Sequence, residues 1–305
     1  MRQRSRTPHR IRNLEAIMTF GIIGNLEKAG LKEAVTLFVK GLRKSGMSFC
    51  LQNEIAEILG GKEQFPFASS EKCIDRADMV VAFGGDGTIL AVARLVGARQ
   101  IPILGVNLGK LGFLADVSPQ NMEQAIEDIV AGKYIVEDRL VLQATSPARL
   151  GKVYYGVNDL VISRSHSPRI IDAEMYIDGE FAVTYRGDGL IVSTPTGSTA
   201  YALSSGGPIV TPTTHVIGIT PISPHTLSGR PIVIPDKSTV RVVVRSHIEE
   251  ILFSTDGQTE EFFNPPVELE IRKASHSLRL VRRVGSSYFD VLRAKLLWGQ
   301  DARSQ

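Results

Sequence analysis

The sequence predicts an α/β N-terminal domain with a mostly parallel sheet, an all-β C-terminal domain, and a C-terminal segment returning to the first domain. Three observations support this. The 305 residues exceed one ordinary domain. Short apolar runs alternate with helical periodicity from about residue 18 to 132, the pattern of strands crossed over by helices. After Gly132 one strand-like run follows another. The limits on this reading are 18–132, 133–284 and about 285–305, with residues 1–17 a disordered basic extension.

"IMTFGIIG" is a short buried-strand run, and Leu31, Ala34, Val35, Phe38 and Leu42 form the apolar stripe of the helix that follows. "MSFCLQ", "DMVVAF" and "IPILGV" are further strands, the last two followed by helical patterns. Ser118 and Pro119 make a helix start, an N-cap followed by proline, and Met122, Ala125, Ile126 and Ile129 give that helix its apolar face. The second half reads as "YIVEDRLVLQAT", "KVYYGVNDLVIS", "AEMYI", "EFAVTY", "LIVST", "VIGIT", "STVRVVVRS", "VELEI" and "LRLVRR". Asp178-Gly179 and Asp256-Gly257 are two-residue hairpin signals. The closing "SSYFDVLRAKLLWGQ" is helical, with Leu292, Leu296 and Leu297 on one side.

Composition narrows the function. A chain that is 43% hydrophobic and 22% charged has the balance of a globular protein. No apolar stretch reaches the eighteen or so residues of a membrane span, so no membrane partner is expected. The net charge of +3 comes from Arg2, Arg4, Arg6, Arg10 and Arg12; the body is nearly neutral, which argues against nucleic acid. Two cysteines, Cys50 and Cys73, are too few for a disulfide framework and fit a reducing, cytoplasmic setting. The histidines lack metal-ligand spacing, and no protein-held metal site is expected.

Chemistry enters at "VVAFGGDGTILAVARLV", residues 81–97. A strand passes into a helix through Gly84, Gly85, Asp86, Gly87 and Thr88, the place where open α/β sheets bind ligands. Glycines let backbone approach a ligand, and free amides at a helix start attract phosphate. Asp86 would repel that phosphate unless it either holds Mg²⁺ on a phosphate donor or accepts the proton of an attacking hydroxyl. A plain N-cap on a glycine turn is the structural alternative. A second cluster lies in "YRGDGLIVSTPTGSTAYALSSGGPIV", residues 185–210. There Ser193, Thr194, Thr196, Ser198 and Thr199 offer hydroxyls to ribose, amide and phosphate groups, and Tyr201 offers a stacking surface. Turn chemistry alone would also account for such a loop.

These stretches resemble the NAD kinase family, which phosphorylates the adenosine 2′-hydroxyl of NAD. The similarity runs through "GVNLGKLGFLADV" (105–117), "GVNDLVISR" (156–164), "GDGLIVSTPTGSTAYALSSGGPIV" (187–210), "ITPISPHTLSGRPIVIP" (219–235) and "YFDVLRAKLLWG" (288–299). The resemblance implies NAD in a cleft between the domains, ATP or polyphosphate as donor, and a homodimer or homotetramer. It implies that Asp86 is the catalytic base and that Gly87 and Phe113 line the NAD site. Asn158 and Asp159 stand where the family has an Asn-Glu pair at the ribose; the aspartate here is one methylene shorter. Asp188, Thr199, Ala200, Tyr201, Ser204 and Asp256 match positions around the dinucleotide, and Arg186 matches a residue that reaches a neighbouring subunit. Gly84, Gly85, Thr88 and Lys110 are the expected donor-phosphate contacts. A diacylglycerol-type lipid kinase, which shares GGDGT, and a non-catalytic dinucleotide sensor are the competing readings.

Overall fold

The protein is described by a computed structural model covering residues 17–61, 64–226, 228–245 and 249–297. The basic extension through residue 16, and Trp298 of the closing motif, lie outside the described residues.

The first domain alternates as its sequence predicts. Strands β1 (Thr19–Gly24), β2 (Ser48–Gln52), β3 (Phe67–Ala68), β4 (Met79–Gly84) and β5 (Ile103–Asn107) pair in parallel, in the order β3-β2-β1-β4-β5. Helices α1 (Leu31–Lys44), α2 (Asn53–Ile58), α3 (Ser70–Asp75), α4 (Asp86–Val96) and α5 (Met122–Val130) cover both faces. Helix α1 buries the expected stripe and packs it against Phe20 and Phe83 under one face; α4 packs Ile89 and Val92 against Val80 and Ile103 on the other. Both α2 and α3 escape the sequence reading because each has only 6 residues, too few to display a period. Ser118 caps a single 3-10 turn (Pro119–Asn121), from which α5 continues with its predicted face buried. Strand β6 (Tyr134–Arg139) ends this part.

The second domain is a sandwich of two six-stranded antiparallel sheets. Its strands are β7 (Leu142–Thr145), β8 (Val153–Gly156), β9 (Asp159–Arg164), β10 (Ile171–Ile177), β11 (Glu180–Gly187), β12 (Gly189–Ser193), β13 (Val216–Ile222), β14 (Ile232–Pro235), β15 (Val240–Val244), β16 (Ile251–Thr255), β17 (Thr259–Phe263) and β18 (Val267–Lys273). One sheet runs β11-β10-β15-β18-β7-β8 and the other β14-β13-β12-β9-β16-β17. Alternate residues of both inner faces, among them Leu160, Ile162, Val242, Phe253 and Leu269, make one core. Each predicted hairpin turn places an aspartate and a glycine at positive φ: Asp178 (52°) with Gly179 (89°), and Asp256 (53°) with Gly257 (62°). A short helix, α6 (Tyr201–Ser204), follows β12.

The chain then returns to the first domain, through β19 (Leu278–Arg283) and helix α7 (Tyr288–Leu296). Strand β19 inserts between β5 and β6, parallel to the former and antiparallel to the latter, completing a seven-stranded sheet. The sequence places both β6 and β19 in the β domain, so the expected limits at 133 and 284 do not coincide with the sheet boundaries. Alternation identifies a strand but not its partner. On α7, Leu292 is buried, whereas Leu296 and, just past the helix end, Leu297 are exposed, contrary to the single apolar side expected.

The sandwich core tests this packing most directly. Phe253, 1% exposed, meets Tyr154 and Phe263 edge-on at centroid distances of 5.0 and 6.2 Å. Phe253→Ala is expected to destabilise the fold by about 3–5 kcal/mol, read as a lower urea midpoint.

Candidate active site

Strand order reverses between β1 and β4: the chain moves outward through β2 and β3 on one side and through β5 on the other. A crevice forms at such a switch point, beyond the carboxyl ends of the strands. Gly84 closes β4 there, Gly85 is the N-cap of α4, and Asp86 is the first helical residue. The amides that open an α-helix have no partner one full turn back and can serve an anion, although that of Thr88 here donates to the Gly85 carbonyl at 3.0 Å.

Asp86 is not the N-cap of its own helix. Its carboxylate instead accepts hydrogen bonds from the backbone amides of Phe113 (2.8 Å) and Leu114 (3.1 Å), in the loop after β5. Gly112 makes this approach possible, because a Cβ there would lie 2.0 Å from Asp86 Oδ1. Gly84 is required in the same way: a Cβ on it would lie 2.1 Å from the Thr88 hydroxyl, which packs over the turn. Lys110 lies exposed at the tip of the neighbouring loop, where Asn107 donates to its carbonyl at 3.1 Å.

The β domain supplies the facing wall. Asp256, at the β16-β17 turn, accepts from the amides of Val157 (3.0 Å), Asn158 (2.6 Å) and Asp159 (3.1 Å). Its carboxylate therefore fixes the Asn158-Asp159 backbone instead of standing open to a ligand. The next residue but one in that turn, Gln258, donates to the Gly87 carbonyl at 2.7 Å and also bonds Arg94 of α4, which ties the two walls together. Gly197 packs on Asn158 from the other side, since a Cβ there would lie 2.0 Å from the Asn158 carbonyl oxygen.

The hydroxyl cluster is largely internal, which favours the turn-chemistry reading of this loop over ligand contacts. Thr194 donates to the Val157 carbonyl (2.6 Å) and accepts from the Gly197 amide; Ser198 donates to the Pro195 carbonyl (2.7 Å) and accepts from the Val210 amide. Thr196 accepts from buried Arg139 at 3.5 Å, a bond joining β6 to this loop. Ser193, Thr194, Thr196 and Ser198 are all buried, so their hydroxyls build the wall. The accessible part begins after them: Thr199 and Ala200 are half-buried, while Tyr201 and Ser204 are exposed.

Asp188 and Arg186 lie apart from this group. Strand β12 pairs with β9 so that Ser193 is level with Asp159 and Gly189 with Ser163, which puts Asp188 past the other end of the strand. Five residues of strand separate the two ends by about 16 Å at ~3.3 Å per residue, the scale of an extended dinucleotide. Asp188 forms an ion pair with Arg164 (2.8 Å), and Arg186 pairs with Asp172 (2.8 Å) on the β10-β11 hairpin. Arg164, Gln258, Gly112 and Lys295 escape the residue-by-residue reading. None has a local signal, because each acts on a residue distant in sequence.

Two carboxyls are electrostatically unusual. Burial, with the Asp256 carboxylate beside it, pushes Asp159 up to about 7. Burial also raises Asp256, against the lowering effect of its three amide donors. Cys50 and Cys73 are both buried free thiols. Among the described residues, no group of three or more His, Cys, Asp or Glu side chains is placed to hold a metal ion, and no helix is long and apolar enough to cross a membrane.

A fixed carboxylate beside a glycine turn, at the switch point of a parallel sheet and roofed by a β sandwich, marks a two-domain phosphotransferase. Comparisons with known proteins identify which kind. Residues 20–134 match the family model of the ATP-NAD kinase N-terminal domain, and residues 157–283 match that of its C-terminal domain. The chain belongs to the NAD kinase family. It is 41% identical over 290 residues to an NAD kinase of Bacteroides fragilis, covering 94% of this chain and 100% of the relative. It is 40% identical to one of Pseudomonas fluorescens, covering 94% and 97%. Among solved structures it is similar to yeast NADH kinase complexed with NADH, with a TM-score of 0.86, 26% identity, and 95% of this chain and 90% of that one covered. An NAD kinase from Archaeoglobus fulgidus in complex with ATP superposes with a TM-score of 0.73 and 26% identity over 92% and 99% of the two chains. The lipid kinase and sensor alternatives gain no support from these matches.

Two expectations follow from the geometry. Gly112→Ala places a methyl group where the Asp86 carboxylate sits, and is expected to lower turnover at least about tenfold while the melting temperature changes little. The raised Asp159 carboxyl favours the folded state while it is protonated, and that contribution is lost as pH rises from the ordinary aspartate value near 4 to about 7. Asp159→Asn is therefore expected to melt a few degrees above the wild type at pH 8, with the difference vanishing near pH 4, in thermal scans across that range.

Proposed function

We propose that the cleft binds NAD and ATP and transfers the terminal phosphate of ATP to the adenosine 2′-hydroxyl of NAD, giving NADP and ADP. The observation that carries this reading is the Asp86 carboxylate, held by two amides at the mouth of a glycine turn that suits phosphate. In the step itself, Asp86 accepts the 2′-hydroxyl proton as the oxygen bonds to the γ-phosphorus, and the bridging β-γ oxygen leaves with ADP. Fixing the base before substrate arrives removes part of the cost of orientation from the barrier.

The donor phosphates are assigned to the amides around Gly84 and Gly85, with Thr88 and Lys110 at the margin. Gly87 and Phe113 border the acceptor. Asn158, placed by Asp256 and Gly197, is assigned to the adenosine ribose together with Asp159. With its carboxyl pushed up to about 7, Asp159 can in its protonated form donate to a ribose oxygen as well as accept. Thr199, Ala200, exposed Tyr201 and Ser204 continue along the dinucleotide, and Asp188 and Arg186 fall at its far end.

Mg²⁺ is assigned to the donor. Such an ion would be carried mainly by the substrate phosphates and water, and would neutralise phosphate charge when bound. We further assign the protein to the cytoplasm, where two buried thiols stay reduced. A homodimer or homotetramer is supported by exposed Phe181, Ile232, Val233 and Phe262 on the sandwich edge strands.

The test is NADP formation by purified protein from NAD, ATP and Mg²⁺, read through an NADP-specific dehydrogenase, with polyphosphate assayed in parallel. Asp86→Asn is expected to lower turnover by about 10²–10⁴-fold while NAD affinity stays within a few fold. Near-normal turnover in that variant would remove the proton-acceptor role.

A further inference from the structure

Phosphoryl transfer moves a group whose oxygens carry negative charge, and enzymes that speed it place cations against those oxygens. The donor turn of this protein, Gly84 to Thr88, contains no lysine or arginine. Besides Lys110 at its margin, a cation reaches the turn from a distant part of the chain. Lys295, in the last turn of α7, has its Nζ 3.8 Å from Asp86 Oδ2 and 4.5 Å from the centre of the Phe113 ring.

An ordinary surface role does not account for this placement. A basic residue at a helix C-terminus is favoured by the helix dipole alone, and Arg293 satisfies that description by pairing with Asp290 on the same helix. Lys295 instead points off α7 onto the first-domain loop. Tyr288, stacked near Phe113 at 6.3 Å, and Leu292, 1% exposed, anchor the helix so that its end lies over the site. At 3.8 Å the ammonium is beyond hydrogen-bond distance of Asp86, and both Asp86 oxygens already accept from the Phe113 and Leu114 amides. The three N–H donors of Lys295 therefore remain available beside the base, in a side chain only 36% exposed.

We propose that Lys295 is a catalytic residue of the transfer, its ammonium passing from Asp86 to an oxygen of the phosphoryl group as the reaction proceeds. This rests on the reading of Asp86 as proton acceptor. Before transfer the ammonium is attracted to the Asp86 carboxylate. As Asp86 takes the 2′-hydroxyl proton its charge is neutralised, while charge develops on the phosphoryl oxygens and the leaving ADP. The ammonium follows the charge. Its seat on the Phe113 ring holds it within reach of both positions.

The experiment measures kcat and KM for ATP and NAD in Lys295→Met, Lys295→Gln and Lys295→Arg, beside the wild type, with NAD affinity and melting temperature taken on the same samples. Lys295→Met keeps the stem on Phe113 and removes the charge; its kcat is expected to fall about 10²-fold or more, with KM for NAD changed less than about threefold. Lys295→Arg should regain most of the loss. A kcat for Lys295→Met within about threefold of wild type overturns the proposal, as does an equal loss in the arginine and uncharged variants, which would mark a packing role. If Lys295→Met fails to fold, the contrast between Lys295→Arg and Lys295→Gln decides in the same way. A wild-type protein that makes no NADP would overturn the kinase reading itself, a result distinct from wild-type turnover undiminished by loss of the lysine.

Discussion

The site depends on one carboxylate engaged by backbone. Asp86 sits where a parallel sheet presents helix amides to an anion, a place where an unconstrained negative charge would turn outward toward solvent or cap its own helix. The Phe113 and Leu114 amides hold it instead, with charge-assisted hydrogen bonds of 2.8 and 3.1 Å. This arrangement constrains three segments at once. Gly84 must lack a side chain so that Thr88 can fold over the turn, Gly112 must lack one so that the carboxylate can approach, and the loop after β5 must carry Phe113 to the rim of the cleft. Gly84 and Gly112 serve close approach more than turn geometry: neither lies at positive φ, and a Cβ on either would collide with its neighbour.

The β domain repeats the same device. Asp256 caps a run of three amides, from Val157 to Asp159, as Asp86 caps two. In each case a buried or half-buried acid is secured to backbone of another segment, which sets a wall of the cleft without relying on flexible side chains. The two devices meet at the β16-β17 turn. There Asp256 holds the far wall and Gln258, two residues on, bonds the Gly87 carbonyl. The β16-β17 hairpin thus helps set the two walls relative to one another, with Arg139 to Thr196 as a second tie and Val141, Val157 and Ala274 packed into the core of the first domain. Placement matters because in-line transfer loses rate steeply when the reacting atoms are misplaced by about 1 Å.

Much of this is legible in the sequence, for identifiable reasons. Periodicity over the 14 residues of α1 and the 9 of α5 is long enough to name their buried faces. Asp-Gly pairs announce both hairpins because few other dipeptides accept two positive φ values. The glycine turn after β4 is recognisable because strand, turn and helix are contiguous. Properties that depend on non-local pairing are not legible. "YIVEDRLVLQAT" reads as one strand, yet it divides at Leu140 and Val141 between two sheets. "LRLVRR" alternates like its predecessors but crosses back to pair with β5 and β6. The hydroxyl loop suggests ligand contacts because composition reports which groups are present and not which are already bonded. Asp256 stands out at a turn, but the amides it holds lie almost a hundred residues away in sequence.

The return of β19 and α7 explains why the last segment bears on chemistry. Once β19 is locked between β5 and β6, the chain leaves the sheet on the side of the loop holding Asp86. Helix α7 has few apolar residues to bury, and Leu292 alone is deeply packed, so its stability depends on that anchor and on the ring contact of Tyr288 with Phe113. Packing alone gives little reason to end a domain with a helix that touches so little core. Its placement makes sense through Phe113, whose amide bonds Asp86 and whose ring meets Tyr288 from one end of α7 and supports the Lys295 ammonium from the other. The same ring thereby couples the order of the final helix to the position of the amide that fixes Asp86.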